Sequence, residues 1–154
     1  MKTKILMVCL GNICRSPLAE GILKSKVSPD FCTVDSAGTA GYHIGSPPDK
    51  RSIAVAKKNG IDISQQLCRL FTKSDFETFD VIYAMDKSNY ANIITQAKNK
   101  VESAKVRLLL NEVELGISQV PDPYHGGEIE FENVYNLIDK ACSKIAKQMT
   151  QSNE

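Results

Sequence analysis

Short runs of hydrophobic residues alternate with stretches of helical hydrophobic spacing along the 154-residue chain. Continuous apolar runs bounded by turn residues predict buried strands, here at residues 4–8, 31–35, 81–84 and 106–110. Recurrence every three or four residues predicts helices, here at residues 17–26, 47–60, 87–98 and 128–149, with a short helical turn at 72–75. The polar residues 150–154 are expected to fray.

Strands separated by helices of this length predict an α/β protein, with a parallel sheet and helices on both faces. A chain of this size without a linker or repeat is expected to form one domain over residues 1–154. In such sheets, ligands bind beyond the carboxyl ends of the strands. Four candidate positions each follow a predicted strand: Cys9, Ser36, Asp86 and the loop that holds Asp122. We therefore expect them to meet at one edge of the sheet.

Composition and charge narrow the class of protein. Hydrophobic residues make up 42% of the chain and charged residues 24%, with a net charge of +1. This balance is typical of a globular protein and gives no support to a nucleic-acid partner. No apolar run approaches the roughly 18 residues that cross a bilayer, and the run from Ile5 to Leu10 is too short for a signal peptide. We expect a cytoplasmic protein with no membrane partner.

Cysteine and histidine usage favours neither disulfides nor a metal site. The five cysteines are an odd number and none stand at CxxC spacing, so free thiols in a reducing compartment are expected. The two histidines, His43 and His125, lie in loop-like sequence. We therefore predict no metal.

The most informative segment is CLGNICRSP at residues 9–17, directly after the first predicted strand. We predict that Ser16 caps the following helix and that Pro17 is its first residue. The loop amides and the helix N-terminus would then converge on one point, which is typical of an anion site.

A thiol and a guanidinium at such a point suit phosphate chemistry. The amides and Arg15 would favour the thiolate of Cys9, and Arg15 can hold two phosphate oxygens at once. Gly11 and Asn12 tolerate the positive φ that turns N–H groups inward, and Ser16 can donate a hydrogen bond to the sulfur. By itself the Cys9–Arg15 spacing is a weak signal, because a cysteine and an arginine stand at such a spacing by chance in many sequences. Taken alone, Cys9 would be interpreted as a small buried apolar residue at a strand end, the commonest place of a free cysteine.

The segment VCLGNICRSPLAE resembles the active-site signature of the low molecular weight protein tyrosine phosphatases. Four more blocks follow in that family's order and spacing: DSAGTAG, GSPPDKR, FDVIYAMDKSN and PDPYHGG. The resemblance covers nearly the whole chain. It implies a three-layer α/β/α fold with a four-stranded parallel sheet, doubly wound in the order 2-1-3-4, the phosphotyrosine phosphatase I-like fold. It also implies hydrolysis of phosphotyrosine and other aryl phosphate monoesters through a phosphocysteine intermediate, with phosphotyrosine-containing protein substrates, inorganic phosphate as product and no cofactor or metal.

The resemblance assigns Cys9 as the nucleophile, Arg15 as the ligand of the phosphate and its transition state, and Asp122 as general acid and base. Without it, Asp122 between two prolines would be interpreted as a turn former. Tyr42 and Tyr124 are the expected walls of a slot for an aryl ring. The other predicted substrate contacts come from the loop itself: Leu10, Gly11, Asn12, Ile13, Cys14 and Ser16.

Several further residues are expected to have supporting roles. The family pattern implies a hydrogen bond between Ser36 and Asn12, although the residues alone are also consistent with a solvated turn serine. Cys14 is expected to pair reversibly with Cys9 under oxidant. Ion pairs or helix caps are predicted for Asp49, Arg51, Arg69 and Asp86, and core or surface thiols for Cys32, Cys68 and Cys142. The chain departs from the family at His125, where many members carry a second tyrosine.

Three alternatives remain open at this level. A protein-arginine phosphatase would use the same scaffold, but such relatives tend to carry Thr where this chain has Ile13, which favours an aryl substrate. An arsenate reductase would need a further cysteine pair, which residues 68–142 do not supply. A non-catalytic phosphate-binding module would not need Asp122 as well as Cys9. A monomer or weak dimer is expected.

Overall fold

A parallel sheet is the centre of the structure, a computed structural model that describes residues 2–152. Within these residues the sheet has four strands in the order β2-β1-β3-β4, all parallel. The strands are β1 (Thr3–Cys9), β2 (Cys32–Gly38), β3 (Val81–Ala84) and β4 (Val106–Leu108). The predicted fold class and strand order are confirmed.

The central strand β1 is buried on both faces from Ile5 to Cys9, which explains the unbroken apolar sequence of that stretch. Successive side chains point to opposite faces of a sheet. Ile5 and Met7 accordingly join one hydrophobic cluster, while Leu6 and Val8 join a second cluster that contains Phe76. These four side chains of β1 are at most 1% exposed.

Helices cover both faces, as the alternation of strands and helices predicts. They are α1 (Arg15–Lys26), α2 (Lys50–Lys58), α3 (Asp75–Thr78), α4 (Lys87–Ile94), α5 (Lys100–Ser103) and α6 (Glu128–Ser152). The first cluster takes its helical residues from α1, α2 and α6, and the second from α3 and α4. No helix of the described chain is long and apolar enough to cross a membrane.

Several predicted boundaries are wrong. The predicted helix over 87–98 is too long, because α4 ends at Ile94. A separate helix that was not predicted, α5, begins at Lys100, where the Asn99 side chain accepts a hydrogen bond from the N–H of Glu102. The fourth strand ends at Leu108 and continues as a 3-10 turn. The last helix extends to Ser152, past the start of the segment expected to fray, while residues 153–154 lie outside the described residues.

Two boundary corrections concern the phosphate loop, residues 10–14. Helix α1 begins at Arg15 with Cys14 as its N-cap and no side-chain cap, so Ser16 is not the N-cap. The Ser16 hydroxyl contacts Cys9 and Asn12 instead. Strand β2 continues to Gly38, so that Ser36 lies within the strand, opposite Met7 of β1, and not in a turn after it. Pairing with β1 overrides the weak strand propensity of the Ser-Ala-Gly sequence.

Candidate active site

The phosphate loop joins the carboxyl end of β1 to the start of α1, so Cys9 and Arg15 stand at its two ends. Asn12 has a φ of 56°, the left-handed conformation that asparagine tolerates better than most residues. Gly11 tolerates a positive φ as well but does not adopt one; the left-handed glycines of the described chain are Gly45, Gly60 and Gly116. The hydrogen bonds of the Asn12 side chain hold this residue in place.

The side chain of Asn12 is buried and fixes the loop to its surroundings. Its Nδ2 donates to Ser16 Oγ at 2.8 Å and to Ser36 Oγ at 3.0 Å, and its Oδ1 accepts from the N–H of Arg69 at 2.9 Å. Ser36 thus makes the contact that the family pattern implied. Its hydroxyl in turn donates to the buried carboxylate of Glu20 at 2.7 Å, a residue that sequence reasoning missed.

Ser16 lies next to the sulfur of Cys9, with Oγ and Sγ 3.0 Å apart. Because Ser16 Oγ accepts from Asn12, its hydroxyl proton is available either to this sulfur or to the Ala37 carbonyl oxygen at 3.4 Å. The first turn of a helix leaves its backbone N–H groups without intrahelical acceptors. Sγ at the start of α1 is therefore placed where negative charge is stabilised.

Cys14 is the thiol within the phosphate loop itself. Burial, helped by the charge of Asp49, raises the pKa of Cys14 to about 12, so Cys14 remains a neutral thiol near pH 7. Cys68 also packs against the loop, with its Sγ 3.0 Å from the Gly11 carbonyl oxygen, and burial raises its pKa too. Among the thiols around the loop, Cys9 is the candidate nucleophile.

Arg15 is buried, and two acceptors hold one end of its guanidinium. Its Nη1 donates to Asp86 Oδ2 at 2.7 Å and to the Val120 carbonyl oxygen at 2.9 Å. Asp86 also accepts from the N–H of Asn89 and so caps α4, which confirms its predicted place in an ion pair or cap. The sequence did not predict that Asp86 orients the Arg15 guanidinium. The position of Asp86 soon after β3 was the available signal.

Asp122 approaches the other end of the same guanidinium. Its Oδ2 lies 3.8 Å from Arg15 Nη2, and its side chain is 46% exposed. The N–H of Val120 donates to the Met85 carbonyl oxygen at 2.8 Å, which ties this segment to the end of β3. The N–H of Tyr124 donates to Asp122 Oδ1 at 3.1 Å. These contacts hold the Asp122 carboxyl group near the Arg15 guanidinium, at the end of the phosphate loop.

A cavity of about 220 Å³ lies between the phosphate loop and the loop that carries Asp122. Its walls are formed by Cys9, Leu10, Gly11, Ile13, Cys14, Arg15, Tyr42, His43, Asp122, Tyr124 and His125. Most predicted contacts therefore meet at one place, but Asn12 and Ser16 do not line the cavity; they lie buried behind the loop. Both histidines line the cavity, which sequence reasoning missed. Each directly follows a predicted wall tyrosine, and that adjacency was the available signal.

The fold and this site define a doubly wound α/β protein with a thiol, a guanidinium and a carboxyl group around one anion-binding loop. Residues 4–154 match the family model of low molecular weight phosphotyrosine protein phosphatase. The chain is 44% identical over 143 residues to the low molecular weight phosphotyrosine protein phosphatase of Schizosaccharomyces pombe, covering 88% of this chain and 90% of that one. It is 41% identical over 144 residues to the human enzyme of the same name, covering 90% of each chain.

A solved structure agrees with these relatives. A protein tyrosine phosphatase from Entamoeba histolytica, with Hepes in the active site, superposes with a TM-score of 0.92 at 34% identity, covering 99% of this chain and 100% of that one. The chain belongs to the low molecular weight phosphotyrosine protein phosphatase family. The predicted family and enzyme class are confirmed, and the protein-arginine phosphatase alternative is not favoured.

Proposed function

We propose that this protein hydrolyses phosphotyrosine in proteins through a phosphocysteine intermediate. The observation that carries the proposal is the convergence of the Cys9 sulfur, the Arg15 guanidinium and the Asp122 carboxyl group on one cavity. These groups supply a nucleophile, an electrostatic clamp and a proton donor, which are the parts that transfer of a phosphoryl group to a thiol requires.

In the first step, the Cys9 thiolate attacks phosphorus and the bond from phosphorus to the phenolic oxygen breaks. Arg15 and the amides of the phosphate loop hold the phosphate oxygens and stabilise the charge on them in the transition state. Asp122 gives its proton to the departing oxygen. The guanidinium needs no reorganisation for this, because Asp86 and the Val120 carbonyl already fix its orientation.

In the second step, Asp122 accepts a proton from water, which attacks phosphorus and breaks the sulfur–phosphorus bond. Inorganic phosphate leaves, and Cys9 returns to the thiolate. The Ser16 hydroxyl, 3.0 Å from Sγ, can donate to this thiolate as it departs. Both steps require Cys9 as a free thiolate. The mechanism is therefore suited to a reducing compartment such as the cytoplasm, where Cys9 stays reduced.

The walls of the cavity support an aromatic substrate. Tyr42 and Tyr124 line it together with Ile13 of the phosphate loop, and the two tyrosines are 75% and 41% exposed respectively. Flat and apolar walls favour the stacking of a phenyl ring. A guanidinium leaving group would instead have to give up its hydration against these apolar surfaces, and Asp122 is the one acidic residue among those that line the cavity.

The test is the hydrolysis of a simple aryl phosphate by the wild type, Cys9→Ser and Asp122→Ala. We expect no activity from Cys9→Ser and a loss on the order of a hundred-fold in turnover from Asp122→Ala. Phosphotyrosine and phosphoarginine peptides of the same sequence, assayed side by side, test the substrate class, and we expect preference for phosphotyrosine. Unchanged activity in either variant, or preference for phosphoarginine, would contradict the proposal.

A further inference from the structure

Arg51 on α2 contacts segments that belong to both halves of the site. Its Nε and Nη2 donate to the Asp49 carboxylate at 3.0 and 2.9 Å, and its Nη1 donates to the Gly126 carbonyl oxygen at 3.0 Å. The guanidinium carbon also lies 4.5 Å from the centre of the Phe131 ring and 5.6 Å from that of Tyr124. One side chain thus joins the start of α2 to the segment that follows Asp122.

The start of α2 is itself attached to the phosphate loop. The N–H of Asp49 donates to the carbonyl oxygen of Ile13 at 2.8 Å. Arg51 does not line the active-site cavity but a neighbouring groove of about 420 Å³ between α2 and α6. It therefore acts on the chemistry only through the residues that it holds.

On the other side, Arg51 holds the turn that carries Asp122. The N–H of Gly126 donates to the Pro123 carbonyl oxygen at 2.8 Å, and the N–H of Tyr124 donates to the Asp122 carboxylate. Residues 122–126 are thereby closed into one turn. Fixing the Gly126 carbonyl and the ring of Tyr124 fixes the place from which the Asp122 carboxyl group points.

We propose that Arg51 is a positioning residue that holds the Asp122 turn in register over the phosphate loop. The proposal rests on the proposed role of Asp122 as general acid, and it gives Arg51 a function beyond its ion pair with Asp49. A planar guanidinium can bind a carboxylate, bind a carbonyl and stack on aromatic rings at the same time, which a lysine cannot.

A displaced general acid has a characteristic kinetic effect. A weakly acidic leaving phenol needs its proton in the transition state, whereas a strongly acidic one departs as the anion without help. Loss of Arg51 is therefore expected to slow phenyl phosphate much more than dinitrophenyl phosphate. A general loss of folding or of phosphate binding would slow both substrates equally.

The test compares the kcat/KM of these two substrates in the wild type, Arg51→Gln and Arg51→Lys. We expect Arg51→Gln to lose about ten-fold or more with phenyl phosphate and less than about two-fold with dinitrophenyl phosphate. Arg51→Lys keeps the positive charge without the planar guanidinium. We expect it, too, to lose more activity with phenyl phosphate than with dinitrophenyl phosphate. If Arg51→Gln does not fold, the Arg51→Lys variant alone is used for the comparison. The control is Lys58→Gln on the same helix, since Lys58 pairs with Glu128 and Glu132 and does not reach the Asp122 turn.

A double-mutant cycle separates positioning from structure. In an Asp122→Ala background, Arg51→Gln should cause no further selective loss, because the acid that Arg51 positions is gone. Equal losses with the two substrates, no loss in either Arg51 variant, or an undiminished selective loss in the Asp122→Ala background would overturn the proposal. Full activity of Asp122→Ala alone would instead contradict the proposed function.

Discussion

The end of β2 packs so closely against the phosphate loop that Gly38 has no room for a side chain. A Cβ at this position would lie 2.8 Å from the Leu10 carbonyl oxygen and 3.0 Å from the Asn12 nitrogen. Both atoms belong to the backbone of the loop and cannot rotate away. Any side chain at Gly38 must therefore displace the loop that binds phosphate.

We expect Gly38→Ala to lower kcat/KM for an aryl phosphate by up to about a hundred-fold, because small displacements of reacting groups are costly. Competitive inhibition by inorganic phosphate should weaken in parallel. Gly127→Ala is the matched control, since its Cβ would meet only the Glu130 side chain at an ordinary 3.6 Å. Wild-type kinetics in Gly38→Ala would show that the loop tolerates the displacement.

Single residues also show where sequence reasoning succeeds and where it stops. The sequence showed that Gly11 and Asn12 both tolerate a left-handed conformation, but only Asn12 of the two adopts it. Only the packed loop decides between them. The burial of Glu20 behind Ser36 could not be predicted for a similar reason. A glutamate in a helix is expected to be exposed unless its buried hydrogen-bond partner is known.

At the scale of elements, α1 and α2 begin in different ways. Helix α2 has an ordinary cap, in which the Asp49 side chain accepts from the N–H of Arg51. Helix α1 has none, although Ser16 and Pro17 form a typical start signal. The hydroxyl of Ser16 is used beside Cys9, so a local capping rule failed at the place where the site requires the side chain for chemistry.

The cap of α2 makes stability depend on pH. Hydrogen bonding to Arg51 lowers the pKa of the Asp49 carboxyl group below its ordinary value. Because the pKa is lower in the folded state, the ionised carboxyl group stabilises the protein at pH values above the pKa of the unfolded state, about 3.9. This stabilisation is lost as the pH falls through the lower pKa of the folded state. Asp49→Asn removes the charge but keeps the shape.

We therefore expect the wild type to be more stable than Asp49→Asn at pH 7, with the difference shrinking below about pH 4. Urea unfolding of both proteins across this range measures it. An equal difference in the free energy of unfolding at pH 3 and at pH 7 would show that the Asp49 charge does not contribute.

At the scale of the molecule, the order of elements was predictable and their exact ends were not. Alternation of strands and helices gave the α/β class, and the family resemblance added the strand order, which is confirmed. Boundaries such as the end of β2 depend on pairing with β1, which lies about thirty residues away along the chain. The meeting of Cys9 with Asp122, more than a hundred residues later, follows from the parallel topology because both lie at the same sheet edge.

The central claim is that phosphate passes through a covalent bond to Cys9. Asp122→Ala with dinitrophenyl phosphate offers the most direct measurement, because this leaving group needs no acid while the second step still needs a base. The phosphoenzyme should therefore accumulate. Mass spectrometry of the quenched protein should find one phosphate, located on the peptide that contains Cys9, with a matching burst of dinitrophenol. Turnover with no covalent phosphate, or with phosphate on another residue, would contradict the mechanism.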